Sequence, residues 1–543
     1  MDGGERLNVV EWMQEAPRPI RSLLIANRGE IACRIIRALD DLGIRSIAIH
    51  SAADDGAMHV QMASQAIRLD GDSLQETYLN GDRIIDIAKT SGADAIHPGY
   101  GFLSERSGFA AAVVAAGLIW VGPSVGAIDT MGDKIAARRA MLAAGVPVIP
   151  GEEVAIGDDD EIIESLVEAA GSIGYPLLLK ASAGGGGKGM RIVREPKNLQ
   201  QEFAAASREA VTAFGDGTVY IERLLEKSRH IEVQVLADSY GNVVHLFERE
   251  CSIQRRHQKV IEEAPSPVLT KTQRDAMGDA ATLAASAVSY EGAGTVEFLL
   301  GQNGEFHFLE MNTRLQVEHP ITEMISGIDL VEQQIRVAAG LPLPFCQDDL
   351  TIRGHAIEAR IYAEDPANGF LPAIGPLAVF RPPEGPGVRL DTGVREGDEA
   401  SIDFDPLLAK LIVHASDRDA AIRRMHRALS EFVILGATTN IGFLRNLVTH
   451  SAFREGDTTT DFIETHFDSG RPISTSLSDS ETKEIAGKSL TGSIPAILAS
   501  AAESFGLHRT RAAASAGAFG DAAGEAGRGG PNDPFQSLTR RYP

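Results

Sequence analysis

Polar side chains recur at every second position between residues 310 and 318. Two apolar, β-rich runs, 295–300 and 306–311, precede and lead into this stretch, and Asn303-Gly304 between them is typical of a hairpin turn. Alternate side chains of a strand lie on one face. An extended chain would therefore align Glu310, Asn312, Arg314, Gln316 and Glu318. The alternative is a solvated strand face, but such faces usually mix Lys, Thr and Ser with the acids.

The aligned residue types indicate a metal and anion site. Glu297 on the preceding strand could join Glu310 and Asn312 across the predicted hairpin. Two carboxylates and an amide oxygen suit Mg²⁺ that is held together with substrate phosphates. Arg314 is a donor for an oxyanion, and Glu318, without a metal role, is a free candidate for a general base.

A second stretch, 177–193, places a glycine loop between two short predicted strands. Lys180 ends the first strand, and five of the six residues 184–189 are glycine. Backbone N–H groups of such a loop can contact phosphates directly. A flexible linker is the alternative, although linkers seldom separate two short strands of one unit. Lys188 is not followed by Ser or Thr, so the loop is not of the Walker A type.

Residues 251–259 form a dense cationic cluster in an otherwise acidic chain. A solvated charge run is the default interpretation of such a cluster. Because Glu262 and Glu263 follow immediately, a compact anion pocket with local counter-charges is at least as consistent with the sequence.

Length and charge restrict the class of protein. A chain of 543 residues is too long for one core, so two to four domains are expected. The net charge of −24 argues against nucleic acid as a partner, and no apolar run is long enough to predict a membrane partner. The dispersed cysteines Cys33, Cys251 and Cys346 indicate reduced thiols and a cytoplasmic location.

Taken together, seven motifs resemble the biotin carboxylase component of biotin-dependent carboxylases, which belongs to the ATP-grasp family. The motifs are IANRGEIACRIIRA (25–38), HPGYGFLSE (97–105), MGDK (131–134), KASAGGGGKGMR (180–191), CSIQRRHQKVIEEAP (251–265), EMNTRLQVEHPITE (310–323) and GHAIEARIYAEDP (354–366). They follow one another from residue 21 to about 467, which makes the joint match far more specific than any single glycine-rich loop.

The resemblance implies an α/β fold with a defined domain order. The expected segments are an N-terminal extension (1–20), a pre-ATP-grasp domain with a parallel sheet (21–134), an ATP-grasp domain (135–350) with a mobile lid over about 151–225, a C-terminal α+β domain (351–467) and a tail (468–543). Strands alternating with helices near the N-terminus independently favour a parallel sheet there.

The resemblance also implies a role for each matching residue. The ATP phosphates and ribose would be bound by Lys134, Lys180, Gly184, Gly185, Gly186, Gly187, Gly189, His230, Gln254 and His257, with adenine at the backbone of Glu222 and Leu225. Mg²⁺ (or Mn²⁺) would be held by Glu297, Glu310 and Asn312. Bicarbonate would contact Lys259, Arg314, Gln316 and Val317. Glu318 would be the base, and Arg360 would face biotin.

The implied activity is ATP-dependent carboxylation of biotin through carboxyphosphate. The last methionine is Met425, and the sequence holds no Met-Lys-Met motif of a biotin carrier. We therefore expect the carrier and the carboxyltransferase on other chains, in a homodimer or a larger complex. The Ala/Gly-rich tail is expected either to dock a partner or to be a loose terminus. Another ATP-grasp ligase and a nucleotide-binding pseudo-carboxylase remain the competing functions.

Overall fold

The computed structural model describes residues 10–154, 160–181, 190–214, 218–401 and 403–473. Its first sheet has five parallel strands in the order β3-β2-β1-β4-β5. The elements of this part are α1 (Glu11–Gln14), β1 (Ser22–Ile25), α2 (Gly29–Asp41), β2 (Arg45–His50), α3 (Met58–Met62), β3 (Gln65–Arg68), α4 (Gly81–Ser91), β4 (Ala95–His97), α5 (Ser107–Ala115), β5 (Ile119–Trp120), α6 (Val125–Gly132) and α7 (Lys134–Ala144).

The predicted parallel sheet is confirmed, and it brings two of the sequence motifs together. The carboxyl ends of adjacent parallel strands lie at one edge of a sheet. Asn27, just after β1, donates to the carbonyl oxygens of Pro98 (2.8 Å) and Tyr100 (2.7 Å), just after β4. The edge strand β3 escaped prediction because only Ala66 and Ile67 of its four residues are apolar.

Part of the predicted N-terminal extension packs onto the first sheet and the segment after α12 (Leu330–Ala338). Met13 and Ile20 are fully buried, and the backbone N–H of Arg18 donates to the Ala339 carbonyl at 3.0 Å. Residues 10–20 thus contribute to the same apolar core as α2 and α12.

A second, four-stranded antiparallel sheet has its own apolar core, in the region predicted as the lid. Its strand order is β6-β9-β7-β8. The elements are β6 (Gly151–Val154), α8 (Asp160–Ile173), β7 (Leu177–Ala181), β8 (Arg191–Val193), α9 (Leu199–Phe214) and β9 (Val219–Arg223). The extent and mobility of the lid stay predictions.

A large antiparallel sheet of eight strands carries most of the candidate site, in the order β14-β13-β10-β11-β12-β15-β22-β20. Its first part comprises β10 (Arg229–Ala237), β11 (Val243–Arg255), β12 (Gln258–Ala264), α10 (Lys271–Ala287), β13 (Gly292–Leu300), β14 (Phe306–Asn312), α11 (His319–Ser326) and α12. Strands from both sides of the boundary predicted at residues 350 and 351 share this sheet, because β12 pairs with β15.

The remaining described elements complete the sheet and cover it with helices. They are β15 (His355–Tyr362), β16 (Glu364–Asp365), β17 (Leu371–Pro372), β18 (Gly375–Pro376), β19 (Val379–Arg381), β20 (Val388–Thr392), β21 (Glu399–Ala400), β22 (Leu407–Ala415), α13 (Arg418–Glu431), β23 (Val433–Leu435), α14 (Ile441–Thr449), α15 (Ser451–Glu455), α16 (Phe462–His466), β24 (Phe467–Asp468) and β25 (Arg471–Pro472). Helices α13 and α14 pack their apolar faces against β15 and β22.

Two further predictions concern the whole chain. The three cysteines are free thiols, as expected. In the described ranges, no helix combines the length and apolar character that a bilayer crossing requires. The tail beyond residue 473, including the predicted docking segment, lies outside the described residues.

Candidate active site

The predicted hairpin is confirmed, and its register pairs two acidic residues directly. Glu297 of β13 lies opposite Glu310 of β14, and Thr295 lies opposite Asn312. Directly opposed like charges destabilise a strand pair, so this arrangement favours a cation between the two carboxylates. The Glu310 side chain is exposed toward the cleft. Desolvation by the surrounding cleft walls and the charge of Glu297 both raise the pKa of Glu310.

Beyond Asn312 the prediction of an extended strand is wrong. The chain bends at residues 313–314, and α11 begins at His319 with Glu318 in the N-cap position. Pro320 in the first turn favours a helix start there, and Leu315 is fully buried in the core beneath the bend. A strand cannot satisfy both constraints.

The predicted side chains nevertheless converge, through a chain of hydrogen bonds instead of a strand face. Arg314 donates to Asn312 Oδ1 and to Gln316 Oε1, each at 3.0 Å. Gln316 in turn donates to Glu297 Oε1 at 3.1 Å. Glu105, outside the prediction, accepts from Arg314 at 3.0 Å and so fixes its guanidinium from the first domain.

Lys259 is the centre of the buried charge network. Its Nζ donates to Glu318 Oε1 (2.6 Å), to Glu297 Oε1 (3.0 Å) and to Glu232. Although burial opposes the effect, these three carboxylates raise the pKa of Lys259 well above its usual range. The network therefore holds one permanent ammonium between the metal candidates and the base candidate.

Glu318 is not the free carboxylate that the sequence suggested. It is fully buried, and Arg360 Nη2 donates to its second oxygen at 2.9 Å. Lys259 and Arg360 hold the pKa of Glu318 well below its usual range, against the effect of burial. The side chain is thus ionised, as a base must be, but it is ion-paired with Lys259 of β12 and Arg360 of β15.

Arg360 joins Glu318 to a second carboxylate. Its Nε donates to Glu262 Oε1 at 2.6 Å, and burial raises the pKa of Glu262 to about 7. Arg360 also lines the larger cleft described below, so it lies between these buried carboxylates and that cleft.

The predicted cationic cluster is a β-hairpin whose tip overhangs the site. Gln258 pairs with Arg255, so the turn consists of Arg256 and His257 alone. Both have positive φ, 51° and 65°, in positions where Asn-Gly is favoured. Strained backbone of this kind is frequent at functional sites. The hairpin exposes Arg256 and His257 to the larger cleft.

Two predicted nucleotide contacts lie beneath this hairpin. Gln254 Nε2 is 3.1 Å from His230 Nδ1, and His230 Nε2 is 3.1 Å from Glu297 Oε2. Against the effect of burial, the Glu297 carboxylate raises the pKa of His230. His230 thus connects the metal candidates to the cationic hairpin.

Two clefts meet at the end of β14. The first, of about 730 Å³, is lined by Lys134, Lys180 and Glu222. The second, of about 970 Å³, is lined by residues from all three predicted domains. These include Tyr100, His230, Gln254, His257, Lys259, Glu297, Gln316, Val317 and Arg360. Glu310, Asn312 and Arg314 line both clefts, so two of the three predicted metal ligands lie at the border between them, and the third, Glu297, lines the second cleft.

The remaining predicted nucleotide residues are only partly located. Lys180 forms an ion pair with Glu222 across the second sheet. Leu225 follows β9 and lines neither of these two clefts. The glycine loop, with Gly184, Gly185, Gly186, Gly187 and Gly189, lies outside the described residues.

Sequence reasoning missed two fully buried charges behind the site. Glu232 accepts from both Lys259 and Arg249, and Arg249 donates to four oxygens on neighbouring elements. The signal was present in the sequence: Glu232 alternates with His230 and Gln234 along one strand, which places all three on one face. Because His230 is a predicted site residue, this alternation also places Glu232 on the face toward the site.

Comparison with known proteins places this geometry in a family. Residues 19–128 match the profile of the biotin carboxylase N-terminal domain, and 133–346 match the ATP-binding domain of the carbamoyl-phosphate synthase L chain. Residues 358–465 match the biotin carboxylase C-terminal domain.

Two curated relatives are similar in sequence to most of this chain. Biotin carboxylase of Halalkalibacterium halodurans is 51% identical over 446 residues, which are 82% of this chain and 98% of that protein. The mitochondrial methylcrotonoyl-CoA carboxylase subunit alpha of Dictyostelium discoideum is 51% identical over 453 residues, 83% of this chain. The match covers 64% of that subunit, so this chain spans under two thirds of its length.

Among solved structures, the biotin carboxylase domain of the Hydrogenobacter thermophilus 2-oxoglutarate carboxylase has a TM-score of 0.77 and 46% identity. The match covers 84% of this chain and 99% of that domain, which was crystallised with MgADP, ADP and bicarbonate. The matched profiles follow one another in sequence, and the high identity extends over nearly all of the H. halodurans enzyme. The chain therefore belongs to the biotin carboxylase family.

Proposed function

We propose that this chain carboxylates biotin on a separate carrier protein, with ATP and bicarbonate as co-substrates. The reaction would be the first half of an acyl-CoA or related carboxylase. The observation that carries the proposal is the junction of the two clefts at Glu310, Asn312 and Arg314. A nucleotide in the first cleft and an anion in the second would meet at the metal ligands, which is the alignment that phosphoryl transfer requires.

The donor set fits a divalent cation. Glu297 and Glu310 are opposed in register, and Asn312 follows two residues after Glu310 on the same strand, β14. Hard oxygen ligands of this kind suit Mg²⁺ or Mn²⁺. When bound, the ion would neutralise phosphate charge during transfer. Lys134 and Lys180 supply further positive charge along the first cleft.

Replacing Glu310 with glutamine is expected to raise the Mg²⁺ concentration needed for half-maximal activity by more than about tenfold. The substitution keeps the shape of the side chain but removes one of two opposed carboxylates. Titration of ATP cleavage with Mg²⁺ measures the effect. Glu305→Gln is the matched control, since Glu305 is an exposed acid of the same hairpin whose side chain accepts from Asn303 Nδ2 at 2.7 Å. An unchanged Mg²⁺ requirement in Glu310→Gln would remove Glu310 from the ligand set.

In the second cleft, we assign bicarbonate to Lys259, Arg314, Gln316 and the Val317 backbone. Bicarbonate is a weak nucleophile, and Glu318 would take its proton as it attacks the γ-phosphoryl group. ADP leaves, and carboxyphosphate forms. An arriving anion competes with Glu318 for Lys259, so the pKa of Glu318 rises from its low value in the free enzyme. The base thus becomes stronger when its substrate is present.

Biotin carboxylation would follow near Arg360. Carboxyphosphate breaks down to CO₂ and phosphate, and that phosphate can accept the proton of the biotin ureido nitrogen. Loss of that proton leaves negative charge shared between the nitrogen and the ureido oxygen. The nitrogen then attacks CO₂, and the charge ends on the new carboxylate. Arg360 lines the cleft where this oxyanion would form, so its guanidinium is the candidate donor to it.

The test uses the purified full chain with MgATP, bicarbonate and free biotin. We expect biotin to accelerate the release of ADP. We also expect the label of labelled bicarbonate to appear in carboxybiotin. ATP cleavage without stimulation by biotin and without carboxybiotin would contradict the proposal. It would favour a different ATP-grasp ligase, whereas absence of any ATP cleavage would favour the pseudo-carboxylase.

We infer a biotin carrier and a carboxyltransferase on other chains, and a homodimer or larger assembly of this chain, in the cytoplasm. The relatives compared above include carboxylases named for methylcrotonoyl-CoA and for 2-oxoglutarate. Purification from the native source with its biotinylated partner would identify the final acceptor.

A further inference from the structure

A lysine that no predicted role uses lies beneath the turn that carries the bicarbonate contacts. Lys410, on β22, is fully buried. Its Nζ donates to the Val317 carbonyl at 2.8 Å and lies 3.2 Å from Glu30 Oε1 and 3.8 Å from Asp391 Oδ2. Against the effect of burial, Glu30 raises the pKa of Lys410, so the side chain is a permanent cation.

The three partners of Lys410 come from three separate parts of the chain. Val317 belongs to the turn between β14 and α11, Asp391 lies opposite Lys410 on β20, and Glu30 lies in the first turn of α2. Close packing fixes Glu30 against the C-terminal strands. A Cβ added at Gly393, just after β20, would come within 2.5 Å of the Glu30 backbone nitrogen.

A buried ion pair is weak evidence for stability, because desolvation offsets most of its attraction. The hydrogen bond from Lys410 to the Val317 carbonyl, in contrast, fixes the position of a backbone group. Residues 316–318 supply the side chain of Gln316, the backbone N–H of Val317 and the carboxylate of Glu318. A donor that fixes the middle carbonyl of this turn limits the movement of all three groups.

We propose that Lys410 is a positioning residue for the turn at residues 315–318. It holds the bicarbonate contacts and the base in register, and it ties their geometry to the seating of α2 against the C-terminal strands. This inference rests on the proposed function and deepens it, since it concerns the affinity for bicarbonate and not that for the nucleotide. Lys410 touches no substrate itself.

The main test compares Lys410→Met with a matched control, Arg418→Met, in the full chain. Arg418 is also a largely buried cation that pairs with a strand carboxylate, Glu263, and donates to backbone carbonyls of residues 453 and 454. Glu263 neighbours Glu262 on β12, so its side chain points to the opposite face of the sheet. The readout is bicarbonate-dependent ATP cleavage without biotin.

We expect the KM for bicarbonate to rise at least about tenfold in Lys410→Met, with the KM for ATP nearly unchanged and no bicarbonate effect in Arg418→Met. Equal values of the bicarbonate KM in both variants would overturn the inference. If Lys410→Met does not fold, Glu30→Gln decides. It removes the charge beside Lys410 Nζ, and a bicarbonate KM equal to that of the unaltered chain would again overturn the inference.

Hydrogen exchange provides a readout that does not depend on activity. Amides of residues 315–319 are expected to exchange faster in Lys410→Met than in Arg418→Met, because only the first loses the bond to the Val317 carbonyl. Unchanged exchange at this turn would refute the positioning role. If the unaltered chain cleaves no ATP in response to bicarbonate, the proposed function fails, and the exchange result still decides on the position of the turn.

Discussion

Glutamine in place of Glu318 is expected to lower the rate of bicarbonate-dependent ATP cleavage by about 10²–10⁴-fold, the usual contribution of a general base. Affinity for ATP should stay close to that of the unaltered chain, because Glu318 does not line the first cleft, which is assigned to the nucleotide. Binding of a fluorescent ATP analogue and initial rates at saturating bicarbonate separate the two quantities.

A matched control lies one helical turn further along α11. Glu323 is similarly buried and paired, with Arg34 at 2.9 Å and Arg389 at 2.7 Å, and these cations lower its pKa to about 2 against the effect of burial. Glu323→Gln should cost stability without a loss specific to bicarbonate. If Glu318→Gln loses ATP affinity as strongly as turnover, Glu318 supports the architecture of the site and is not the base.

The second large effect is expected at Arg360. Arg360→Ala should lower the formation of carboxybiotin by about 10²–10³-fold, as for the loss of one oxyanion donor. Bicarbonate-dependent ATP cleavage should fall less, because Glu318 keeps its 2.6 Å bond to Lys259. The ratio of ADP released to carboxybiotin formed should therefore rise well above that of the unaltered chain.

Part of any loss in Arg360→Ala will reflect stability, since Glu262 is left buried without its partner, and breaking such a pair costs about 3–5 kcal/mol. Arg255→Ala serves as the control. Arg255 lies on the same hairpin as Lys259. It donates to both carboxylate oxygens of Glu364, at 2.7 and 2.8 Å, and packs over the ring of Phe370. Parallel loss of both activities in Arg360→Ala would mean that Arg360 acts only by holding Glu318.

Local sequence patterns determined the hairpin and the identity of the residues in the site. The turn at Asn303-Gly304 and the alternation on both sides predict strands that the structure contains, with Glu297 opposite Glu310. The first parallel sheet was predictable for the same reason, since buried strands and amphipathic helices carry their own periodicity. The family resemblance added roles that no periodicity contains.

The continuation past Asn312 could not be predicted from local alternation. An apolar residue every second position is compatible with a strand, but Leu315 enters a core shared with α2 and α12, which are distant in the chain. Burial of that side chain and the helix start at His319 replace the strand with a bend. Tertiary packing therefore outweighed a local pattern that was correct up to Asn312.

The sequence by itself determined which residues can do chemistry in this protein: the acids of the hairpin, the lysines and arginines of the motifs, and the order in which they occur. Only the tertiary structure decided the pKa of these residues and which groups they contact. Glu318 looked free in the sequence, yet Lys259, Arg360 and Arg249 surround it from β12, β15 and β11. Lys410 attracted no attention in the sequence, yet it donates to the Val317 carbonyl in the turn at residues 315–318. The physical reason is that a pKa and a position depend on neighbours in space, and burial strengthens the influence of each neighbouring charge.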